Sequence, residues 1–222
     1  MKNYNLFALV FAVTATLLAT FARAELLVNG SFEAPVQGAG MGTTISPGGE
    51  PTGFAWTVAS GNIDILDIPI SPFILYSAFD GTQVVDLNGF VRGSMFQDFA
   101  TVSGQLYSLS FAYADNPFEA GMKSASNSVT DVGTMTSLLS DSVSHSTSTN
   151  TANGADWQEY MHSFVALGTT TRLMFESTSA SNSPSGGIIL DAVVVTAVPE
   201  PTSFLLVGFG VVGFIARRRC RS

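Results

Sequence analysis

Residues 25–198 predict an all-β domain, a sandwich or a barrel, on three observations. Short runs rich in Val, Ile, Phe, Tyr and Thr alternate with clusters of Gly, Asn, Asp, Ser and Pro, the punctuation of strands and tight turns. No stretch carries an apolar stripe at the 3.6-residue spacing of an amphipathic helix. In QLYSLSFAYA the two-residue period of a strand is explicit: Leu106, Ser108, Ser110 and Ala112 point one way, and Tyr107, Leu109, Phe111 and Tyr113 the other. The second set is apolar enough to belong in a core.

The pattern places strands at 26–28 (LLV), 54–58 (FAWTV), 83–87 (QVVDL) and 95–99 (MFQDF). Further strands follow at 106–113 (LYSLSFAY), 160–167 (YMHSFVAL), 172–176 (RLMFE) and 188–196 (IILDAVVVT). Each is short, β-branched or aromatic, and bounded by turn residues. Regular short strands at this spacing argue for a sandwich or barrel. Between 124 and 153 Ser, Thr, Asn and Gly take over, which reads as a polar loop or hairpin insertion. Within it VTDVGTMTSLLSDSV can supply two edge strands, whereas DSVSHSTSTNTANGAD is too polar to bury.

The ends have different characters. Lys2, the apolar stretch 6–18 and the small-x-small site Ala22-Arg23-Ala24 make residues 1–24 a cleavable secretory signal. At the other end PEPTSFLLVGFGVVGFIARRRCRS joins an apolar run, 204–216, to a cluster of arginines. As a helix that run reaches roughly 20 Å, short of the ~30 Å hydrocarbon core, so it anchors a chain weakly or for a time. Arginines behind it favour the inner leaflet and leave the body of the protein outside. Gly208, Gly210 and Gly213 spell GxGxxG by accident, since no strand precedes them and no helix start faces a phosphate.

The net charge of −8 over 222 residues understates the acidity of the domain. Residues 25–198 hold three basic residues, Arg92, Lys123 and Arg172, against sixteen acids, a formal −13. Such a surface repels phosphate backbones, so nucleic acid is excluded as a partner. The single cysteine, Cys220, lies in the tail, so the domain is held by burial rather than by disulfides.

Two resemblances sharpen this reading. Pro199-Glu200-Pro201, a short apolar segment at 203–216, and Arg217-Arg218-Arg219 together resemble the PEP-CTERM sorting signal of Gram-negative bacteria, here spanning 199–222. That resemblance implies a membrane enzyme, exosortase, as partner and transient inner-membrane anchoring before release or transfer to the surface. The order LLVNGSFE, FAWTV, GTQVVDLNGFVRGSMFQDFATVSGQLYSLSFAYADNP, WQEYMHSFVA and GGIILDAVVV resembles the galactose-binding-like jelly rolls, in particular the choice-of-anchor C family and related plant cell-wall proteins. It implies a sandwich of about eight strands, associated with extracellular polysaccharide and without catalytic activity.

By the same resemblance a structural calcium would join first strand to last through Glu33 and Asp191, with oxygen from Ser31, hard ligands suited to that ion. The competing reading has both acids capping turns. Sugar binding needs an exposed ring beside polar groups; Trp56, Trp157 and Tyr76 are the candidates, with Phe79 and Phe90 behind them, against the commoner fate of core aromatics. Asp141 and His145 supply triad letters without a GxSxG elbow. The pairs Asp64 with Asp67 and Asp156 with Glu159 sit at a spacing that turns them to opposite strand faces. No enzyme is expected. The sequence therefore reads as an exported or surface-sorted polysaccharide-binding or scaffolding protein. A matrix protein working through protein contacts and calcium is the alternative, and a glycoside hydrolase the third.

Overall fold

The computed structural model describes residues 25–70, 76–118, 121–146, 156–180 and 186–199. The signal segment 1–24, residues 147–155 of the polar insertion, Glu200, Pro201, the 203–216 run and Arg217, Arg218 and Arg219 lie outside them.

Two antiparallel sheets pack face to face as a jelly-roll β-sandwich, with no helix among the described residues. The strands in chain order are β1 (Gly42–Ile45), β2 (Thr57–Ser60), β3 (Ile63–Asp67), β4 (Gln83–Asp86), β5 (Ser94–Ala100) and β6 (Leu106–Asp115). They continue with β7 (Lys123–Asp131), β8 (Ser137–His145), β9 (Gln158–Val165), β10 (Thr170–Ser177) and β11 (Ile188–Ala197). Sheet A runs β1-β3-β4-β11-β6-β9, and sheet B runs β2-β5-β10-β7-β8. The order jumps across the chain, so most contacts are non-local and the ends of the domain meet in one sheet.

Between the sheets lies a continuous core. Tyr107, Leu109 and Phe111 of β6 enter it as their period requires, meeting Val193 and Val195 of β11 and Leu173 and Phe175 of β10. Trp56 is its largest member, with Phe32 and Phe175 at centroid distances of 5.7 and 6.1 Å. Side chains of this size contribute about 3–5 kcal/mol each against truncation.

The expected strand at 26–28 is reduced to a bridge between Glu25 and Thr196, with the Leu26 N–H donating to the Val195 carbonyl. Strands β1 and β3 were not expected. The largest difference is β7 and β8, which make a nine-residue hairpin pair out of the polar stretch. β7 is no edge: it lies between β10 and β8. Its period is intact but hidden, because Ser124, Ser126 and Ser128 face solvent while Ala125, Asn127 and Val129 face in. Binary pattern, not composition, decides a strand. The start of the segment expected to be too polar to bury, 141–145, closes β8, and Val143 and His145 are buried.

Sheet A has a second apolar side. Leu66, Ile68, Val84, Ala114 and Ile189 form a smaller cluster on its outer face, with Tyr76 over them and Ala78 and Trp157 at the margin. Asp86 is fully buried at the end of β4, accepting from the Asn88 and Gly187 N–H groups and the Asn116 side chain. Burial pushes its carboxyl up to about 7, against those hydrogen bonds.

Candidate functional site

The site is built where the cover of sheet A stops. β6 turns Ser110 and Ala112 outwards, and β9 sets Met161 and Glu159 opposite them in register. On the other flank β11 bulges between Asp191 and Val194, with Ala192 in the left-handed region at φ 48°. A bulge re-aims side chains beside a site. Here it sends the buried Asp191 carboxylate to the loop above, where Oδ2 accepts the Phe79 and Asp80 N–H groups, both at 2.8 Å. Oδ1 accepts the Ala192 N–H.

The same loop is fastened from its far side by Glu33. Oε1 of Glu33 accepts the Thr82 and Gln83 N–H groups at 2.9 and 2.8 Å. Gly81, between the two clamped ends, has φ 67°, and a Cβ there would fall 2.3 Å from Glu33 Oε1, so the clamp requires glycine. Ser31 donates its hydroxyl to Asp80 at 2.8 Å. Two carboxylates and a serine thus hold a short segment rigid, and Phe79 projects from it, 44 % exposed.

Beneath Phe79 lies a hollow of about 280 Å³ with Ser110, Ala112 and Ala192 among its lining and Glu159 and Met161 along its side. Trp157 stands edge-on to both Phe79 and Tyr76, at 6.1 and 6.4 Å, and its indole N–H donates to the Ser77 carbonyl. The floor is made of small side chains, the rim of rings and a thioether, and Glu159 is the one carboxylate in the lining. None of the three basic residues of the domain lines it. Burial, with Asp80 adding repulsion, pushes Asp191 up to about 7 despite its N–H bonds, and Glu25 is raised by burial and by Asp80 as well.

The sequence-derived candidates divide sharply. Trp56 is 2 % exposed in the main core, its indole N–H donating to the Asn29 carbonyl, so it cannot meet a ligand. Tyr76 is 3 % exposed within the second cluster, its hydroxyl without a hydrogen-bond partner among the described residues, and burial raises its pKa. Of the three expected rings only Trp157 comes close, packing edge-on against Phe79 outside the lining of the hollow, and Phe79 is the ring that faces out over it. Phe90 is exposed on a different turn.

Glu33, Asp191 and Ser31 do gather around one segment, but Glu33 and Asp191 grip opposite ends of it through backbone N–H groups. Among the described residues no three His, Cys, Asp or Glu side chains are grouped as a metal site needs. The acid beside Asp191 is Asp80, not Glu33. Asp64, one of the acids whose spacing read as a carboxylate pair, is buried and accepts from the Thr44 hydroxyl. His145 pairs with Asp115 rather than with Asp141, which lies by Tyr160 and His162, so the triad letters do not assemble. Pro199 is exposed two residues past β11. The signal that sequence reasoning left unused is the outward set of β6: small residues on the solvent side of an interior strand leave room above it.

Residues 25–196 match the family described as "Protein of unknown function (DUF642)", and the chain belongs to that family. Residues 197–219 match the PEP-CTERM protein-sorting motif, which marks an exported protein sorted to the cell surface. No curated protein matches the chain. Among solved structures it is similar to TmCBM61 in complex with beta-1,4-galactotriose, at 15 % identity and a TM-score of 0.45, covering 79 % of this chain and 99 % of that one. It is also similar to a CBM4 structure, at 14 % identity and TM-score 0.41, covering 77 % and 98 % of the two chains. A third is the CBM22-1-CBM22-2 tandem domain of Paenibacillus barcinonensis Xyn10C, at 15 % identity and TM-score 0.49, covering 82 % of this chain and 48 % of that one.

Proposed function

We propose that this is a non-catalytic glycan-binding protein of the bacterial surface or its polysaccharide matrix, processed by an exosortase-type enzyme of a Gram-negative inner membrane. The hollow over β6 and β9 holds a neutral sugar. One observation carries the reading: a ring fixed by two amide clamps, Phe79, overhangs a floor of small and hydroxyl side chains beside an indole. A pyranose lays its C–H face on such a ring and offers its hydroxyls to Glu159 and Ser110 at the edge. Glu159 in the lining and Asp80 in the loop above repel uronates, so the ligand class is uncharged.

Absence of hydrolysis is part of the proposal. Glycoside cleavage uses two carboxyl groups across the scissile bond. Glu159 lines the hollow, whereas Asp191 is committed to three N–H groups.

Pull-down on a panel of neutral and acidic polysaccharides, followed by calorimetry, tests this. The protein binds at least one neutral glycan, and Phe79→Ala weakens binding tenfold or more with the melting temperature little changed. Binding to no glycan overturns the reading in favour of a matrix protein acting through protein contacts. Release of reducing sugar overturns the non-catalytic part.

Calcium is a separate proposal on narrower ground. Burial first and then repulsion from Asp80 raise the pKa of both Glu25 and Asp191; these carboxylates form no preformed metal cluster, but a cation taken up beside Asp80 relieves that repulsion, with Ser31 as a further hard oxygen. Added calcium then raises the melting temperature, and Asp80→Asn removes the effect. An unchanged melt in chelator contradicts it.

A further inference from the structure

One pole of the sandwich is built differently from the rest. The turns 100–106, 131–137 and 165–171 meet there, together with the end of β11: Thr101 N–H donates to Thr169, Val132 N–H to Thr170, Ala166 N–H to Gln105 and Val198 N–H to Leu106. In a domain with sixteen acids, these stretches and 196–199 hold a single ionisable side chain, Asp131. That one is buried, and the hydroxyl and N–H of Thr134 bind it and hold its pKa down. Glu25, bridged to Thr196, flanks the pole, its carboxylate 3.0 Å from where a Gly30 Cβ would stand and its pKa raised by burial and by Asp80.

Where charge is missing, apolar side chains stand in solvent. Val102, Leu106, Met135, Val165 and Leu167 are all exposed at this pole. Contiguous exposed apolar surface marks an interaction site. The chain also leaves the domain here: Val198 is tied to the Leu106 carbonyl through its N–H and to the Gln105 side chain through its carbonyl. The apolar run of the sorting motif begins at Phe204, six residues on. Fully extended, six residues reach about 20 Å.

We propose that this pole, where the enclosed Asp131 is the one charge on the meeting turns, is a membrane-docking surface, resting on the phospholipid interface while the sorting segment is inserted. The short connection keeps it within reach of the bilayer, and tethering makes the encounter intramolecular, so a contact too weak to recruit a free protein is enough. A carboxylate-rich end would be repelled by anionic lipid; this end is not. Docking holds Pro199-Glu200-Pro201 at the bilayer surface, and cutting there removes the tether and frees the domain. The inference rests on the sorting motif and is independent of sugar binding.

The test is depth-dependent quenching in the full chain reconstituted in phospholipid nanodiscs. A Leu167→Trp probe is compared with Phe118→Trp at the opposite pole, in brominated and ordinary lipid. Leu167→Trp shows a blue-shifted spectrum and at least twofold stronger quenching than the native-tryptophan background, and Phe118→Trp shows none beyond that background. Val102→Trp gives the same result as Leu167→Trp and serves if the latter misfolds. Equal quenching at both poles, or none at position 167 or 102, overturns the proposal. A response that needs exosortase in the nanodisc overturns it as well, in favour of a protein contact.

Discussion

The two outer faces of the sandwich obey the same alternation and reach opposite ends. On sheet B the outward positions of β7 and β8 are hydroxyl side chains in register, Ser124 opposite Ser144, Ser126 opposite Ser142 and Ser128 opposite Ser140. They need no cover. On sheet A the outward positions of β3, β4 and β11 include Leu66, Val84 and Ile189, which must be covered, and the segment carrying Ile68, Tyr76 and Ala78 does so. A cover has an edge. Phe79 stands on it, and the hollow opens where the cover gives way to Ser110 and Ala112. The site is therefore a by-product of a sheet that is apolar on both sides, fixed in place by Asp191 and Glu33.

The strongest way to break this comparison is to charge each face. Val84→Asp buries a carboxylate in the second cluster and is expected to cost upwards of about 3 kcal/mol in a urea melt, whereas Ser126→Asp on the hydroxyl face stays within about 0.5 kcal/mol. Equal effects would mean that the cover over sheet A contributes no real core.

A pH series sharpens the comparison from the acids. Asp86 and Asp191 have folded pKa values of about 7, raised above the unfolded value. A carboxyl raised on folding binds its proton more tightly in the native state, so its contribution falls as pH rises from about 4 to 7 and is flat above. Each accounts for up to roughly 4 kcal/mol across that window at ~1.4 kcal/mol per pKa unit. Melts should therefore be higher at pH 5 than at pH 7.5, and Asp191→Asn should flatten the slope. A profile rising from pH 5 to 7.5 would contradict the burial assigned to these two acids.

The ion pair on sheet B carries a modest effect. Arg172 grips Asp98 at 2.7 and 2.8 Å and lies 3.7 Å over the Phe96 ring. Both charges are near the surface, so Asp98→Asn is expected to cost about 0.5–1 kcal/mol by thermal melt. A larger loss would show that this face, too, depends on a fixed arrangement.

The fold was legible where a strand keeps an apolar face, as in β6 and β11. It was illegible in β7, where serine on the solvent side masks the period, and in β1 and β3, which are four and five residues long. Within the site, letters named residues without naming faces. Trp56 and Trp157 are the same residue type, and only the structure sends one inward between Phe32 and Phe175 and the other to the rim. Asp191 read as a calcium ligand through the family resemblance alone; the bulge at Ala192 turns its carboxylate to the N–H groups of the Phe79 loop, a role the letters did not suggest. That turn depends on a left-handed alanine, which no local sequence signal marks.

The central claim is that sugar meets sheet A and not sheet B. Titrating the labelled protein with a neutral oligosaccharide from the pull-down panel, and following amide and indole signals by NMR, tests it most directly. The account predicts shifts at the Trp157 indole N–H and at the Phe79, Ser110 and Ala112 amides, with Ser126, Ser128 and Ser142 unmoved. Shifts confined to those serines, with the Trp157 indole unchanged, would contradict it.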